Sequence, residues 1–413
     1  MKSVYFRLIL CTLLSAQAVS MQSQTPFENL VEQIAQNSPA LKALEAGGKA
    51  ETSKAKAENR LDDPEVEFEH LWPQNQESKR WSVGVTQTFS WPGLYGSRSK
   101  ANEALAKEME ARYKAQYRTT KLQISQTLAR LILAKERVNM LCKVHTAICD
   151  LKKRTDTAWQ HGETTILDVN KSTIEQANTA SDLQLAVSER DNLYSELLAL
   201  GYTCPQTQAS KPLYTDECII AIRALPDELE SMSIPPVELA DENTYMEAAL
   251  RSPDIKLAEA RIVTAEKAAE VAKISRTPGF SLGYRHVFEG GNHFNGLAVG
   301  MSLPVWSRRS EREAALAATL AARFEAQAAQ TAATTSTRAA YANALRLQSQ
   351  IATLAPALEN SDNFNLLEKA YNGGQLSMLE YLTETAYFLK ARLALLDLHE
   401  QYFSAASQLN SLL

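Results

Sequence analysis

The feature that most constrains this 413-residue chain is an internal repeat, because the same blocks of sequence occur twice in the same order. The matched pairs are "NSPALKALEA" (37–46) with "RSPDIKLAEA" (251–260), "VGVTQTFSW" (83–91) with "VGMSLPVWS" (299–307), and "AWQHGETTILDV" (158–169) with "AYNGGQLSMLEY" (370–381). Such ordered matches at nearly constant spacing predict a duplicated structural unit. The chain is therefore expected to fold as two similar halves.

The first residues have the pattern of a secretory signal peptide. Lys2 and Arg7 precede an apolar stretch, and Ala16-Gln17-Ala18 provides a cleavage site of small residues. We therefore expect the mature protein to be exported. The predicted organisation is a signal peptide at 1–20, a first structural repeat at 21–206, an inter-repeat connector at 207–240 and a second structural repeat at 241–413.

Composition favours long packed helices. Apolar residues make up 45% of the chain and aromatic residues only 7%, and neither Gly nor Pro occurs between residues 99 and 160. No run of about 18 apolar residues follows the signal peptide, so any membrane-spanning segment is expected to be β. The net charge of -5 argues against a nucleic-acid partner.

No arrangement typical of catalysis is present in the sequence. It contains no G-x-S-x-G elbow, no Walker loop and no H-E-x-x-H pair. Serine and carboxylate pairs occur only at spacings typical of helix surfaces. We therefore predict that the protein is not an enzyme and that it uses no cofactor.

Each repeat contains two segments that alternate with period two, which is typical of strands joined as a hairpin. The predicted strands are 65–72 and 80–91 in the first repeat, and 280–288 and 297–305 in the second. One face of each strand is apolar, as in outer-membrane barrel strands. On the other face Glu65, Glu67 and Glu69 are expected to line a lumen and to favour cations. Hairpins in water remain the alternative interpretation.

Four strands are too few to close a membrane barrel. Bacterial outer-membrane barrels start at about 8 strands, and an open edge in lipid leaves backbone groups unpaired. Three copies of the chain would supply enough strands. The predicted fold class is mostly α, with a long α-helical barrel and four β-strands per chain that contribute to a trimeric, 12-stranded transmembrane barrel.

The long helix of the first repeat carries two adjacent apolar stripes of the coiled-coil type. The heptad seam is Ala134, Val138, Leu141, Val144, Ile148, Leu151 and Thr155. The flanking stripe is Leu131, Lys135, Cys142, His145 and Cys149. Two stripes predict a helix that packs between two neighbours, as in a closed ring of helices.

Each long helix is followed by residues that predict the tip of an αα-hairpin. Gly162 is placed to end the first helix, because Gly accepts the left-handed conformation without a Cβ penalty. Thr165 and Asp168 then have the spacing of a capping box for the returning helix. The corresponding residues of the second repeat are Gly374, Ser377 and Glu380. The tips are predicted at 161–165 and 373–377.

In the order of its elements, the chain resembles the TolC-like outer-membrane efflux proteins, including the branch that serves heavy-metal pumps. The blocks that carry the resemblance are "SPALKALEA" and "SPDIKLAEA", "TQTFSWPG" and "MSLPVW", and "HGETTILDV" and "GGQLSMLEY". The resemblance covers essentially the whole mature chain. It implies a homotrimer in the outer membrane that extends into the periplasm and serves as the exit duct of a tripartite efflux or type I secretion system. The implied partners are a periplasmic adaptor, or membrane fusion protein, and an inner-membrane pump.

The resemblance also implies roles for residues at the tips. The implied adaptor-docking residues are Gly162, Glu163, Gly374 and Gln375, and the implied periplasmic gate residues are Asp168, Glu380 and Leu376. Some family members carry an Arg at the position of Leu376, where it pairs with gate acids. The gate of this chain is therefore expected to use apolar packing or a ring of carboxylates. Helix capping alone stays the alternative role for Asp168 and Glu380.

The cysteines leave a further interpretation open. Cys142, His145 and Cys149 have the i, i+3, i+7 spacing of one helix face, which suits Cu(I) or Zn(II). Packing in a helix seam is the favoured interpretation, so no metal site is predicted. Cys204 and Cys218 lie in the connector, where a disulfide between them is plausible in an oxidising compartment. The alternative function is a periplasmic coiled-coil scaffold or metal-binding protein without a pore.

Overall fold

The computed structural model describes residues 25–72, 79–203, 222, 224–275, 277–302, 309–359 and 363–413. The predicted signal peptide and the cysteines Cys204 and Cys218 lie outside these residues. The elements are α1 (Pro26–Asn37), α2 (Pro39–Ala57), β1 (Glu65–Leu71), β2 (Arg80–Phe89), α3 (Pro92–Gln160), α4 (Ile166–Leu200), α5 (Asp227–Glu230), α6 (Glu242–Leu250), α7 (Pro253–Ile274), β3 (Gly279–Glu289), β4 (Asn292–Ser302), α8 (Arg309–Glu359), α9 (Asn363–Asn372) and α10 (Met378–Asn410).

The described chain is mostly helical and contains one four-stranded sheet, so the predicted fold class is confirmed at the level of the single chain. In both halves, helices precede a β-hairpin, and a long helical segment, a tip and a returning helix follow it. Among the described residues, no helix is both long enough and apolar enough to span a membrane.

The compact units of the fold do not follow the two repeats. One unit comprises Met1–Ala40, Thr119–Tyr245 and Arg338–Leu413, and the other comprises Leu41–Arg118 and Met246–Thr337. We call the first the tip unit, because both predicted tips lie in it, and the second the sheet unit. Each unit takes parts from both repeats. The repeat boundaries given above therefore stay a sequence-based prediction about similarity along the chain.

The core of the tip unit lies along α3. All seven residues of the predicted heptad seam are at most 5% exposed. Val138 and Leu141 pack with Leu183 and Val187 of α4, whereas the seam residues closer to the tip pack with Tyr381 of α10. In the flanking stripe all but the half-buried Cys142 are buried. Both predicted stripes are thus confirmed as faces that pack against neighbouring helices.

Two helices have bounds that differ from the prediction. A helical pattern runs from residue 27 to residue 61, yet α1 ends at Asn37 and α2 begins at Pro39. Ser38 has a ψ of 120°, because the residue before a proline is disfavoured in the α region. The long helix α3 begins at Pro92, before the predicted start near residue 99, and continues for 69 residues. Proline is tolerated there because the first helical N–H has no partner in the helix.

The strands of the sheet unit pair in the antiparallel order β1-β2-β3-β4. Gly290 and Gly291 join β3 to β4 with φ values of 58° and 86°, the geometry of a two-residue hairpin turn. The prediction that this strand begins at residue 297 was therefore wrong, since β4 begins at Asn292. The error arose because regular apolar alternation starts only at Leu297. The predicted continuation of β4 to residue 305 lies outside the described residues.

Strand register places most apolar residues of the four strands on one face of the sheet, as the alternation predicts, whereas Leu71, Val287 and Phe294 lie on the other face. One row across the sheet consists of Val66, Val85, Tyr284 and Leu297. These four side chains are between 44% and 80% exposed. A row on the opposite face consists of Glu67, Gly84, Arg285 and Gly296. A single chain therefore leaves its apolar sheet face uncovered.

Candidate functional site

The first tip ends α3 with a left-handed glycine. Gly162 has a φ of 72° and donates its N–H to the Trp159 carbonyl at 2.9 Å. The Glu163 N–H donates to the Ala158 carbonyl at 2.8 Å. These bonds use carbonyl groups at the end of the helix that have no partner within it. The predicted left-handed conformation of Gly162 is confirmed, and its role in docking stays a prediction.

The second tip repeats the same geometry at the end of α9. Gly374 has a φ of 71° and donates to the Tyr371 carbonyl at 3.0 Å, while the Gln375 N–H donates to the Ala370 carbonyl at 2.9 Å. A Cβ atom placed on Gly162 or on Gly374 would have no other atom within 4 Å. Both glycines therefore present bare backbone to the surroundings within this chain.

The helices that return from the tips are capped in related but different ways. Ser377 caps α10 with a full capping box, because its hydroxyl accepts the Glu380 N–H and Glu380 accepts the Ser377 N–H at 2.8 Å. At the first tip the Thr165 hydroxyl accepts the Asp168 N–H at 3.3 Å. The shorter Asp168 carboxylate accepts from the hydroxyls of Thr165 and Thr164 instead, at 2.7 and 3.1 Å. The predicted capping box is therefore confirmed for Ser377 and Glu380, whereas Thr165 caps α4 through its own hydroxyl without the reciprocal backbone bond to Asp168.

The predicted gate residues sit beside these caps. Hydrogen bonds from the Thr165 and Thr164 hydroxyls lower the pKa of Asp168, and hydrogen bonds from Ser377 lower the pKa of Glu380. Both carboxylates are therefore ionised near neutral pH. Leu376 is half-buried beside the second tip. The carboxylates thus combine a cap with a negative charge near the tips.

The second tip is held against the end of α3 by contacts that the sequence did not indicate. The Arg154 guanidinium donates to the side-chain oxygen of Asn372, the last residue of α9. Tyr371 and Tyr381 stack across the tip, with ring centroids 5.0 Å apart. Because α3 belongs to the first repeat and α9 to the second, pattern analysis within one repeat could not find this pairing. The contact connects the two tip regions inside the tip unit.

The sheet unit carries the residues that were predicted to line a lumen. The register confirms that Glu65, Glu67 and Glu69 share the face opposite the apolar one. Arg285 of β3 donates to Glu67 at 2.5 Å, and the Ser82 hydroxyl donates to Glu69 at 3.3 Å. This face therefore carries charges of both signs. Its position in a lumen stays a prediction.

The cysteine and histidine candidates occupy the packed face of α3. His145 Nδ1 lies 3.0 Å from the Thr179 hydroxyl, and its Nε2 lies 3.5 Å from Cys149 Sγ. Cys149 is disulfide-bonded, whereas Cys142 is free. A sulfur in a disulfide lacks the thiolate that binds metal. The geometry therefore favours packing over metal binding at these three residues.

One residue of the flanking stripe on α3 is a buried lysine, for which the sequence pattern predicts no specific role. Lys135 is 8% exposed, and its ammonium donates to the backbone carbonyls of Glu230, Leu229 and Met232 at 2.7, 3.3 and 3.4 Å. These carbonyls lie at the end of the short helix α5, where the helix leaves them unpaired. Lys135 therefore fixes the part of the connector around α5 to the long helix.

Comparison with known protein families addresses the second half of the chain. Residues 244–413 match the family model described as outer membrane efflux protein. No curated protein matches the chain in sequence. The matched segment contains β3, β4 and the second tip, so the match includes one hairpin and one tip.

Solved structures extend the likeness to the whole chain. A membrane protein from Pseudomonas aeruginosa has a TM-score of 0.67 at 17% identity, covering 94% of each chain. CusC has a TM-score of 0.66 at 16% identity, covering 95% of each chain. The outer membrane protein VceC of Vibrio cholerae has a TM-score of 0.66 at 16% identity, covering 94% of this chain and 95% of its own. The chain therefore has the fold of these three proteins.

The structural likeness confirms the predicted fold over both halves of the chain. The match over 244–413 agrees with the family that the sequence resembles.

Proposed function

We propose that this chain forms the passive exit duct of a tripartite efflux or type I secretion system in the outer membrane. The observation that carries the proposal is the sheet, whose apolar face is uncovered along all four strands. An exposed apolar surface of this extent marks a contact with a membrane or with another protein. Because the opposite face carries mostly small and charged residues, the sheet suits a wall between lipid and water.

The edges of the sheet support assembly from several copies. In the described part of the chain, β1 and β4 each pair with one neighbouring strand only. In lipid, unpaired backbone groups cost several kcal/mol each, so each edge strand needs a partner from another chain. Joining β4 of one copy to β1 of the next in a closed ring of three copies gives a barrel of twelve strands.

The tip unit supports the same oligomer. Large apolar side chains of α4 and α10 are more than half exposed in the single chain. They are Ile166, Leu167, Ile174, Leu185, Leu379 and Tyr387. Burying such residues between copies would continue the coiled-coil packing seen inside the chain. A homotrimer would then form a ring of helices from its tip units.

The tips are the proposed site of adaptor docking and gating. Gly162, Glu163, Gly374 and Gln375 are exposed, and a groove of about 360 Å³ beside the first tip is lined by Lys153, Arg154, Thr157, Ala158, His161 and Glu163. This groove offers cations and hydrogen-bond donors to an adaptor from the periplasm. The carboxylates Asp168 and Glu380 lie near the tips, where a ring of like charges in a trimer would oppose close approach.

A strain in which the gene for this chain is deleted tests the proposal. Deletion should increase susceptibility to the substrates of one pump, and expression of the chain in trans should restore resistance. The chain should fractionate with the outer membrane, and chemical cross-linking should trap a trimer. A protein that stays monomeric in the soluble periplasmic fraction would instead be a coiled-coil scaffold, and the exit-duct proposal would be rejected.

A further inference from the structure

A pair of histidines lies near the turn of the β3–β4 hairpin. His286 pairs with Asn295 across the two strands, and His293 pairs with Phe288, so the histidines are diagonal neighbours on the apolar face. His293 Nδ1 lies 3.3 Å from His286 Nε2. The two imidazole rings therefore direct one nitrogen each towards a shared position at the edge of the hairpin.

The hydrogen bond made by Nδ1 of His286 determines which ring nitrogen carries the proton. Nδ1 lies 2.7 Å from the side-chain oxygen of Asn295. This carbonyl oxygen can only accept, so Nδ1 carries the proton and donates. The Tyr284 hydroxyl donates to the same oxygen at 2.7 Å and holds it in place. The Nε2 of His286 is therefore left with a lone pair that faces His293.

This arrangement has the form of an oriented metal ligand. Histidines that bind metal usually donate their other ring N–H to an oxygen acceptor, which fixes both the tautomer and the ring orientation. For a tetrahedral ion with Zn–N distances of about 2.0–2.1 Å, two ligand nitrogens lie about 3.3–3.4 Å apart. The observed distance of 3.3 Å already matches this value. His293 needs only to place its proton on Nε2 for both lone pairs to face one ion.

We propose that His286 and His293 bind a divalent transition-metal ion of the zinc type, with solvent completing its coordination. Among the described residues, no three His, Cys, Asp or Glu side chains come together as a metal site, so the protein supplies two ligands here. His293 is exposed and His286 is half-buried. Both lie close to the β3–β4 turn, so water at that end of the hairpin can reach the open positions. Imidazole ligands favour Zn²⁺, Cu²⁺ or Ni²⁺ over Mg²⁺ and Ca²⁺.

Aromatic rings restrict the motion of both histidines. The Trp81 ring lies 5.5 Å from the His286 ring, and the Phe288 ring lies 5.0 Å from the His293 ring, measured between centroids. Trp81 and Phe288 stack on each other at 5.8 Å. Restricting the two rings before the ion arrives lowers the entropy cost of binding. The nearest acid along β3, Glu289, points to the opposite face and pairs with Arg80.

The test is a titration of Zn²⁺ into the full-length, chelator-treated protein in detergent. We expect one Zn²⁺ per chain in the wild type, and at least a tenfold weaker affinity in H286Q and in H293Q. Asn295→Leu removes the oxygen that orients His286 and should weaken binding by about 10–100-fold without removing a ligand. The matched control is H70Q, because His70 lies in the same row as His293, on the far edge strand, and should bind as the wild type.

Wild-type affinity in both H286Q and H293Q, or no zinc binding by the wild type, would overturn the proposal, as would an equal loss in H70Q. A second measurement keeps both histidine ligands and locates the ion through Trp81. Cu²⁺ should quench the fluorescence of Trp81 beside the site, and the quenched component should be missing from Trp81→Phe. Identical quenching in wild type and Trp81→Phe would place the ion elsewhere and reject the site.

Discussion

Arg285 donates a hydrogen bond to Glu67 at 2.5 Å, although these residues lie on β3 and β1 with β2 between them. Gly84 is the residue of β2 in the same row. Because Gly84 has no side chain, the Arg285 guanidinium can cross β2 to reach the carboxylate. Both partners are substantially exposed, at 46% and 64%, so we expect the pair to contribute little stability. Its expected effect is on the charge of the surface.

The first prediction concerns this charge. Arg285→Gln should leave assembly intact and shift the ion selectivity of the channel towards cations, because it removes a positive charge from a face that carries Glu65, Glu67 and Glu69. Glu67→Gln should shift selectivity in the opposite direction. Reversal potentials in planar bilayers under a salt gradient measure both effects. Unchanged reversal potentials in both variants would show that this face does not line the conduction path.

The second prediction separates the two faces of the sheet. Val299 is 80% exposed on the apolar face, so Val299→Arg should impair barrel assembly by about 2–4 kcal/mol if the residue lies near the bilayer midplane. Ala298→Arg changes the next residue, which has the opposite orientation, and should be tolerated. The measurement is the amount of heat-modifiable trimer in outer membranes. Equal losses in both variants would contradict a membrane-facing apolar side.

Local patterns predicted the elements that depend on neighbouring residues. The period-two alternation predicted the strands, and Gly162 and Gly374 predicted the tips. Both predictions succeed because alternation and left-handed helix ends depend on the local backbone. The start of β4 was missed because a Gly-Gly turn leads into polar residues before the apolar alternation resumes. The contacts of Arg154 with Asn372 and of Arg285 with Glu67 join the two repeats. Such pairs follow from the tertiary packing of helices and strands, which a single sequence does not display.

The third prediction tests the buried lysine. Lys135→Met keeps the apolar stem but leaves the carbonyls of Leu229, Glu230 and Met232 without the ammonium donor, at a cost of about 1–3 kcal/mol. We expect a lower denaturation midpoint and faster proteolysis in the segment around α5. Lys143→Met is the matched control, because Lys143 is an exposed residue of the same helix. Equal stability of the two variants would remove the proposed anchoring role.

The fourth prediction is a dependence of stability on pH through His145. Burial lowers the pKa of His145, so the folded protein favours the neutral ring, whereas an unfolded chain titrates near about 6.5. The contribution of the neutral His145 ring to stability should therefore be fully present above about pH 6.5 and should decline as the pH falls towards the folded pKa. Melting temperatures between pH 8 and 5 should fall less in His145→Gln than in the wild type. His161→Gln, at the exposed first tip, should retain the wild-type slope, and an unchanged slope in His145→Gln would exclude this residue as the cause.

The last prediction asks whether the tip glycines do more than end helices. Residues with a Cβ pay about 1–2 kcal/mol in the left-handed conformation, and Asn is among the least penalised. A Cβ at Gly162 or Gly374 would meet no atom of its own chain within 4 Å, so the Gly162→Asn, Gly374→Asn double variant should still form trimers. If an adaptor needs the bare backbone, the variant should lose efflux, because each side chain would separate the docking surfaces.

The matched control for these glycines is Gly291→Asn. Gly291 also has a positive φ and open space at its Cβ position, but it lies in the β3–β4 turn. Substrate susceptibility and trimer level are measured together in all strains. We expect lost resistance at a normal trimer level in the double variant and full resistance in Gly291→Asn. Full resistance in both would mean that the tip glycines act only as helix caps, since the same side chain would then be harmless at the tips and at the turn.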